Sequence, residues 1–123
     1  MAISIDKVLG FHPAALLLRE KRTTLLASNI ANGDTPGYKA KDIDFRRALD
    51  SIMNSGASEQ SMSAQMQDLV QYRVPLQPDT GDGNSVDMQQ EKMAFAQNSL
   101  DYQLSLSIID GRIKGMMKAL RGE

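Results

Sequence analysis

The strongest alternation of apolar and polar positions lies in the last third of the chain. Met88, Phe95, Tyr102, Ile109 and Met116 recur every seven residues, and Lys92, Ser99, Leu106, Ile113 and Leu120 fill the interleaved heptad position. This spacing predicts one helix over Val86–Arg121, with a seam that is polar at its first two interleaved positions. At about 1.5 Å per residue it would be a rod of roughly 50 Å. About half a turn from the seam, Met93, Leu100, Leu104 and Ile108 form a second apolar face. The rest of the chain offers little apolar material to cover that face, so it is expected to be an assembly interface.

Phe11–Asn32 predicts a first helix, with Pro13 suited to its first turn. Phe11, Ala14, Ala15, Leu18, Leu25 and Leu26 share one face, while Leu16, Leu17, Ala27 and Ile30 spread to other sides. An antiparallel register in which paired residue numbers sum to about 120 places Leu18 by Tyr102, Leu25 by Phe95 and Asn29 by Glu91. The expected intrachain seam comprises Leu18, Leu25, Phe95, Tyr102, Ile109, Ile113 and Met116. Gly33 is expected to end the helix in the left-handed region. Thr35-Pro36-Gly37-Tyr38 then has the Pro and Gly placement of a type II turn.

The middle is weaker in pattern. Asp42–Met53 predicts a short helix with Asp44 as N-cap. Asn54–Gln71, rich in Ser and Gln, reads as a loop or a segment that orders against a partner. Tyr72–Pro78 reads as extended, Asp79–Ser85 as a turn-rich connector, and Asp87 with Gln90 as a capping box for the long helix. The expected fold is mainly α: an antiparallel, coiled-coil-like pair of long N- and C-terminal helices around an irregular, extended middle. The expected division is 1–35, 36–85 and 86–123, the outer two forming an inner core.

Composition narrows the function. The 123 residues suffice for one domain; Trp is absent and aromatics are 5%, so a large globular core is not expected. Cysteine is absent, which removes disulfides, thiolate metal sites and a cysteine nucleophile. No run approaches the ~20 apolar residues of a membrane span. Met1–Gly10 lacks the regions of a cleaved secretory signal, so work outside the cytoplasm implies another route out. Net charge is −1, but segment 1–47 carries +3, 48–91 carries −6 and 92–123 carries +2. Acidic middles meeting basic termini of neighbouring copies would make assembly salt-sensitive.

Catalytic chemistry finds no constellation. His12 is the single histidine and has no acid–base or metal partner in the pattern. Gly81-Asp82-Gly83-Asn84 fails calcium-loop spacing, since Gln90 stands where a ligating Glu would be needed. Asp42 and Asp44 read as solvated carboxylates, and Arg46-Arg47 is too short a patch for nucleic acid. No enzyme, cofactor, metal, nucleic-acid or small-molecule substrate is expected.

Ala31-Asn32-Gly33-Asp34-Thr35-Pro36-Gly37-Tyr38, after Leu25–Ile30, resembles the Ala-Asn-x-x-Thr-Pro-Gly-Tyr signature of bacterial flagellar axial proteins, the rod, hook and related subunits. Lys39–Phe45, Tyr72–Pro75, Gly83–Met88 with Glu91, Asn98, Tyr102 and Gln103, and Lys114–Met117 are similar to proximal rod subunits of that group. The resemblance covers roughly 11–49 and 72–121, and Gly33 stands where the family often has Ala. It implies a structural rod subunit of the basal body, in the periplasmic space, exported by the flagellar type III apparatus without a cleaved signal. The terminal helices would form an inner tube. Implied partners are copies of itself and other rod proteins, export-gate or adaptor proteins at the base, and the surrounding membrane ring. Asn32, Thr35, Pro36, Gly37 and Tyr38 carry over as the motif that ends the helix, reverses the chain and contacts an adjacent subunit. The competing readings are a soluble helical adaptor or secretion chaperone, and a sister proximal rod subunit.

Overall fold

In a computed structural model, the backbone is described for residues 5–55, 59–75 and 81–122. The elements run α1 (Ile5–Leu9), α2 (His12–Ala31), β1 (Lys41–Asp42), α3 (Phe45–Ser55), α4 (Glu59–Asp68), β2 (Gln71–Tyr72) and α5 (Met88–Arg121). Gly10 at φ +58° separates the first two helices. Asp87 caps α5, its carboxylate accepting from the Gln89 and Gln90 amides, and Gly122 ends it in the left-handed region. Lys118 and Arg121 lie in the last turn, where the helix dipole favours cations.

α5 packs antiparallel to α2 and α1, with side-chain bonds joining Asn29 and Arg19 of α2 to Glu91 and Asp101, and Arg112 to the Val8 carbonyl of α1. Each of these pairs sums to 120, the register drawn from the sequence. The line on α5 that faces its partners is nevertheless polar. Glu91 and Asn98 are buried completely, and Arg112 continues the same seven-residue spacing. The apolar line through Phe95, Tyr102, Ile109 and Met116 flanks it half-buried, and Ile113 is 37% exposed.

Most of the apolar core lies on the other side of α2. Ala14 and Leu18 pack with Ile43, Ala48, Ile52 and Met66, and Leu25, Phe45, Leu49 and Met62 close the cluster partway. This cluster orders a segment that the sequence pattern reads as a loop. α4 occupies 59–68 because Met62 and Met66, one turn apart, face the cluster, a stripe too narrow to stand out among the Ser and Gln around it. β1 and β2 pair antiparallel, Lys41 opposite Tyr72 and Asp42 opposite Gln71, which converts the expected extended run into a two-stranded clasp. Its expected continuation through Leu76–Pro78, and the turn residues Asp79 and Thr80, lie outside the described residues.

Candidate assembly interface and the turn that anchors it

The turn after α2 is built as its residues demand. Tyr38 N–H donates to the Thr35 carbonyl at 3.2 Å, and Gly37 holds φ +76°, the type II geometry expected of Pro-Gly. Asn32 and Thr35 lock to each other, the Thr35 hydroxyl donating to Asn32 Oδ1 at 3.0 Å while Asn32 Nδ2 reaches back to the Ser28 carbonyl. Pro36 is exposed at the tip. Gly33 departs from its expected role. It is not in the left-handed region; instead the Met88 side chain lies against it, and an added Cβ would meet Met88 Sδ at 2.5 Å. Close approach of the α5 start, not helix termination, uses this glycine.

The connector docks on that turn through a residue that sequence reasoning passed over as a turn former. Asn84 is buried and donates to the carbonyls of Asn32, Gly33 and Thr35 at 3.0, 3.1 and 2.8 Å, while its Oδ1 accepts from Val86 N–H. Gly37 N–H adds a bond to the Asp82 carbonyl, and Lys39 donates to the Gly83 carbonyl.

Beneath the turn lies a polar network of which the sequence register drew the Asn29–Glu91 pair but not its extension to Arg73, Asp42 and Arg22. Asn29, fully buried, uses its whole amide: Nδ2 donates to the Lys41 carbonyl and Glu91 Oε2, and Oδ1 accepts from Lys41 N–H and the Tyr38 hydroxyl. Glu91 is paired with Arg73, which reaches on to Asp42 Oδ2 at 2.6 Å. Arg22 meets Asp42 with two bonds at 2.9 and 3.1 Å. Asp42 is therefore not the solvated carboxylate expected. Burial pushes its pKa up, but hydrogen bonds from Arg22 and Arg73 outweigh this and hold it below the usual carboxylate value. Buried charges persist when paired and hydrogen-bonded. Here two carboxylates, two guanidiniums and an amide tie α2, the strand clasp and α5 into one unit. The signal that could have found it is polar residues on helix faces otherwise destined for burial: Arg22, Asn29, Glu91 and Asn98.

The second face of α5 stands open. Met93, Leu100 and Leu104 are 73%, 62% and 60% exposed, whereas Ile108 is half-buried. Leu106, Met117 and Leu120, roughly on the opposite side of α5, are also exposed towards its C-terminal end. Leu18 and Leu25 of the expected seam belong to the cluster with α3 and α4. His12 lies buried at the α2 start, its ring 4.4 Å from that of Phe11. Burial and the nearby Arg112 guanidinium hold its pKa below the ordinary imidazole value. Among the described residues no three His, Asp or Glu side chains stand together as metal ligands, and no helix is long and apolar enough to cross a membrane.

A profile described as flagella basal body rod protein matches residues 12–39, which are α2 and its turn. The flagellar basal body rod protein FlgB of Aeromonas hydrophila is 51% identical over 131 residues, spanning 100% of this chain and 99% of its own. This chain belongs to the flagellar basal body rod protein family. FlgB of Escherichia coli K12 is 46% identical over 136 residues, and that of Cereibacter sphaeroides 43% over 122, with at least 94% of each chain covered. The matched stretch of the rod protein family includes Asn29 and the five motif residues. In this member, all but the exposed Pro36 and Gly37 use their side chains inside the chain.

Proposed function

We propose that this protein is a structural subunit of the flagellar basal-body rod, working without catalysis and assembling with other rod and basal-body components. The observation that carries the reading is the open face of α5 in a chain of this family. Three large apolar side chains at least 60% exposed on one helix face exceed what an isolated subunit of this size needs to leave in water. Covering each recovers about 1–2 kcal/mol at such exposure. Repeated contacts of one kind, offset by a rotation that does not close, build a helical tube, and the terminal helices supply its wall.

Within the rod, this chain occupies the proximal part. Its finer partners follow from that position: export-gate or adaptor proteins below, other rod subunits above, and the membrane ring around. It reaches the periplasmic space through the flagellar type III apparatus. Residues 1–35 and 86–123 form the inner core and 36–85 the connecting arm. Met93, Leu100, Leu104 and Ile108 are the assembly surface, and Pro36 at the exposed turn tip is the motif residue best placed to meet an adjacent subunit.

The test is Leu100→Glu with Leu104→Glu in the full chain. The purified variant is expected to keep the helix content and unfolding midpoint of the parent, while cells carrying it lack assembled rods and do not swim. Normal rods built from that variant would show that this face is not the assembly surface.

A further inference from the structure

Of the five asparagines in the chain, Asn32 alone is followed by glycine. That pair carries a chemical liability. The main-chain nitrogen of the next residue can attack the asparagine side-chain carbonyl, and a glycine there puts no side chain in the way. A bond forms between Gly33 N and Asn32 Cγ, the Cγ–Nδ2 bond breaks, and Nδ2 leaves as ammonia with the proton that Gly33 N gives up. Water then opens the cyclic imide. Opening at the side-chain carbonyl leaves aspartate. Opening at the main-chain carbonyl leaves isoaspartate, in which the backbone runs through the former side chain. Water is the single co-reactant.

The folded turn opposes each step. Ring closure needs Asn32 Cβ and Gly33 N eclipsed about the Cα–C bond, but Asn32 sits at φ −103° and ψ 21°, which turns them nearly to opposite sides. The peptide group between the two residues is tied at both ends. Gly33 N–H donates to the Ile30 carbonyl at 3.2 Å, and the Asn32 carbonyl accepts from the buried Asn84 amide at 3.0 Å. The leaving amide is tied as well. Asn32 Nδ2 donates to the Ser28 carbonyl at 2.8 Å, and Oδ1 accepts from the Thr35 hydroxyl at 3.0 Å. The reactive geometry cannot be reached with all four bonds kept. Asn32 is half-buried and Thr35 exposed, so water is at hand once the turn opens.

We infer that Asn32–Gly33 is a self-modification site, converting to aspartate and isoaspartate in the open or unfolded chain and held unreactive by the native turn. The chemistry belongs to the chain alone and does not depend on the rod-subunit reading. The product weakens the turn. A carboxylate at position 32 loses the donor to the Ser28 carbonyl and puts negative charge at the C-terminal end of α2, where the helix dipole opposes it. Isoaspartate also lengthens the main chain between α2 and the turn, out of step with the Asn84 bonds to the Asn32, Gly33 and Thr35 carbonyls. A chain modified while open therefore refolds with a looser joint between α2 and the connector.

The test incubates the full chain at mildly alkaline pH, folded in buffer and unfolded in guanidinium chloride. Samples are digested with an acid protease, since acid halts the reaction, and mass spectrometry reads deamidation at each asparagine. The Asp82–Gly83 and Asp110–Gly111 steps can isomerise through the same imide but gain no mass. In the unfolded chain Asn32 is expected to convert ahead of the other asparagines, and Gly33→Ala to slow it several-fold. In the folded chain conversion is expected to be about ten-fold slower or more, by the opening equilibrium of the turn. Thr35→Val is expected to speed the folded chain about two- to ten-fold, the scale of one hydrogen bond, and to leave the unfolded rate unchanged. Equal rates in the folded and unfolded parent overturn the protection, and faster conversion at Asn54 or Asn84 in the unfolded chain overturns the site. The converted chain, separated and returned to buffer, is expected to unfold at lower denaturant than the parent; an unchanged midpoint overturns the damage to the turn.

Discussion

Glu91 is the residue on which the helix pair turns. It is wholly buried, paired with Arg73 and bonded to Asn29. Removing one member of a buried pair leaves the other uncompensated and costs about 3–5 kcal/mol. Arg73→Leu is therefore expected to lower unfolding free energy in urea by that amount, and Arg73→Leu with Glu91→Leu to regain much of it. The turn gives a paired glycine test. Gly37→Ala forces an alanine to φ +76° and is expected to cost about 1–2 kcal/mol. Gly33→Ala is free of that left-handed strain but needs Met88 Sδ and Cγ, 2.5 and 3.3 Å from the added Cβ, to swing aside, and is expected to cost less than Gly37→Ala. Acid acts at two sites with the same sign. His12 is held below its unfolded value near 6.5, so the unfolded chain takes up that proton first and stability declines as pH falls below about 6.5. Asp42 is held below about 3.9, so its contribution is complete at neutral pH and disappears as pH falls through the folded value. His12→Gln should remove the first decline in a pH series of urea midpoints, and Asp42→Asn the second, together with some stability at pH 7.

At the scale of elements, what was legible in the sequence is what periodicity encodes. The heptads marked α5 within two residues of its start, the Pro-Gly pair marked the turn, and apolar–polar matching gave the register. The polar line facing α2 was not legible as such. A heptad count ranks Phe95 and Tyr102 as the seam; the register already set Glu91 by Asn29, but not that Glu91 and Asn98 would be the fully buried positions, since burial follows partners that lie 62 and 75 residues away. The strand clasp was hidden for the same reason: two residues against two carry no pattern of their own. α4 shows the limit differently, since two methionines decide it. A consequence is uneven protection along α5. In hydrogen exchange on the free chain, amides over 91–101 are expected to be protected by the network and those over 116–121 to exchange orders of magnitude faster.

The whole molecule has its apolar cluster on one side of α2 and a bare apolar face on the far side of α5. The polar network ties the helices together without burying that face, so under the proposed assembly a neighbour would meet a preformed surface. Such contacts would add apolar burial without first ordering the helices, which would lower the entropy cost of each addition. The most direct check is a density map of the assembled rod at side-chain resolution. The account predicts Met93, Leu100 and Leu104 packed dry against neighbouring subunits, with the Asn29–Glu91–Arg73 network unchanged within each chain. A map that leaves those three side chains in solvent within the finished rod would contradict it.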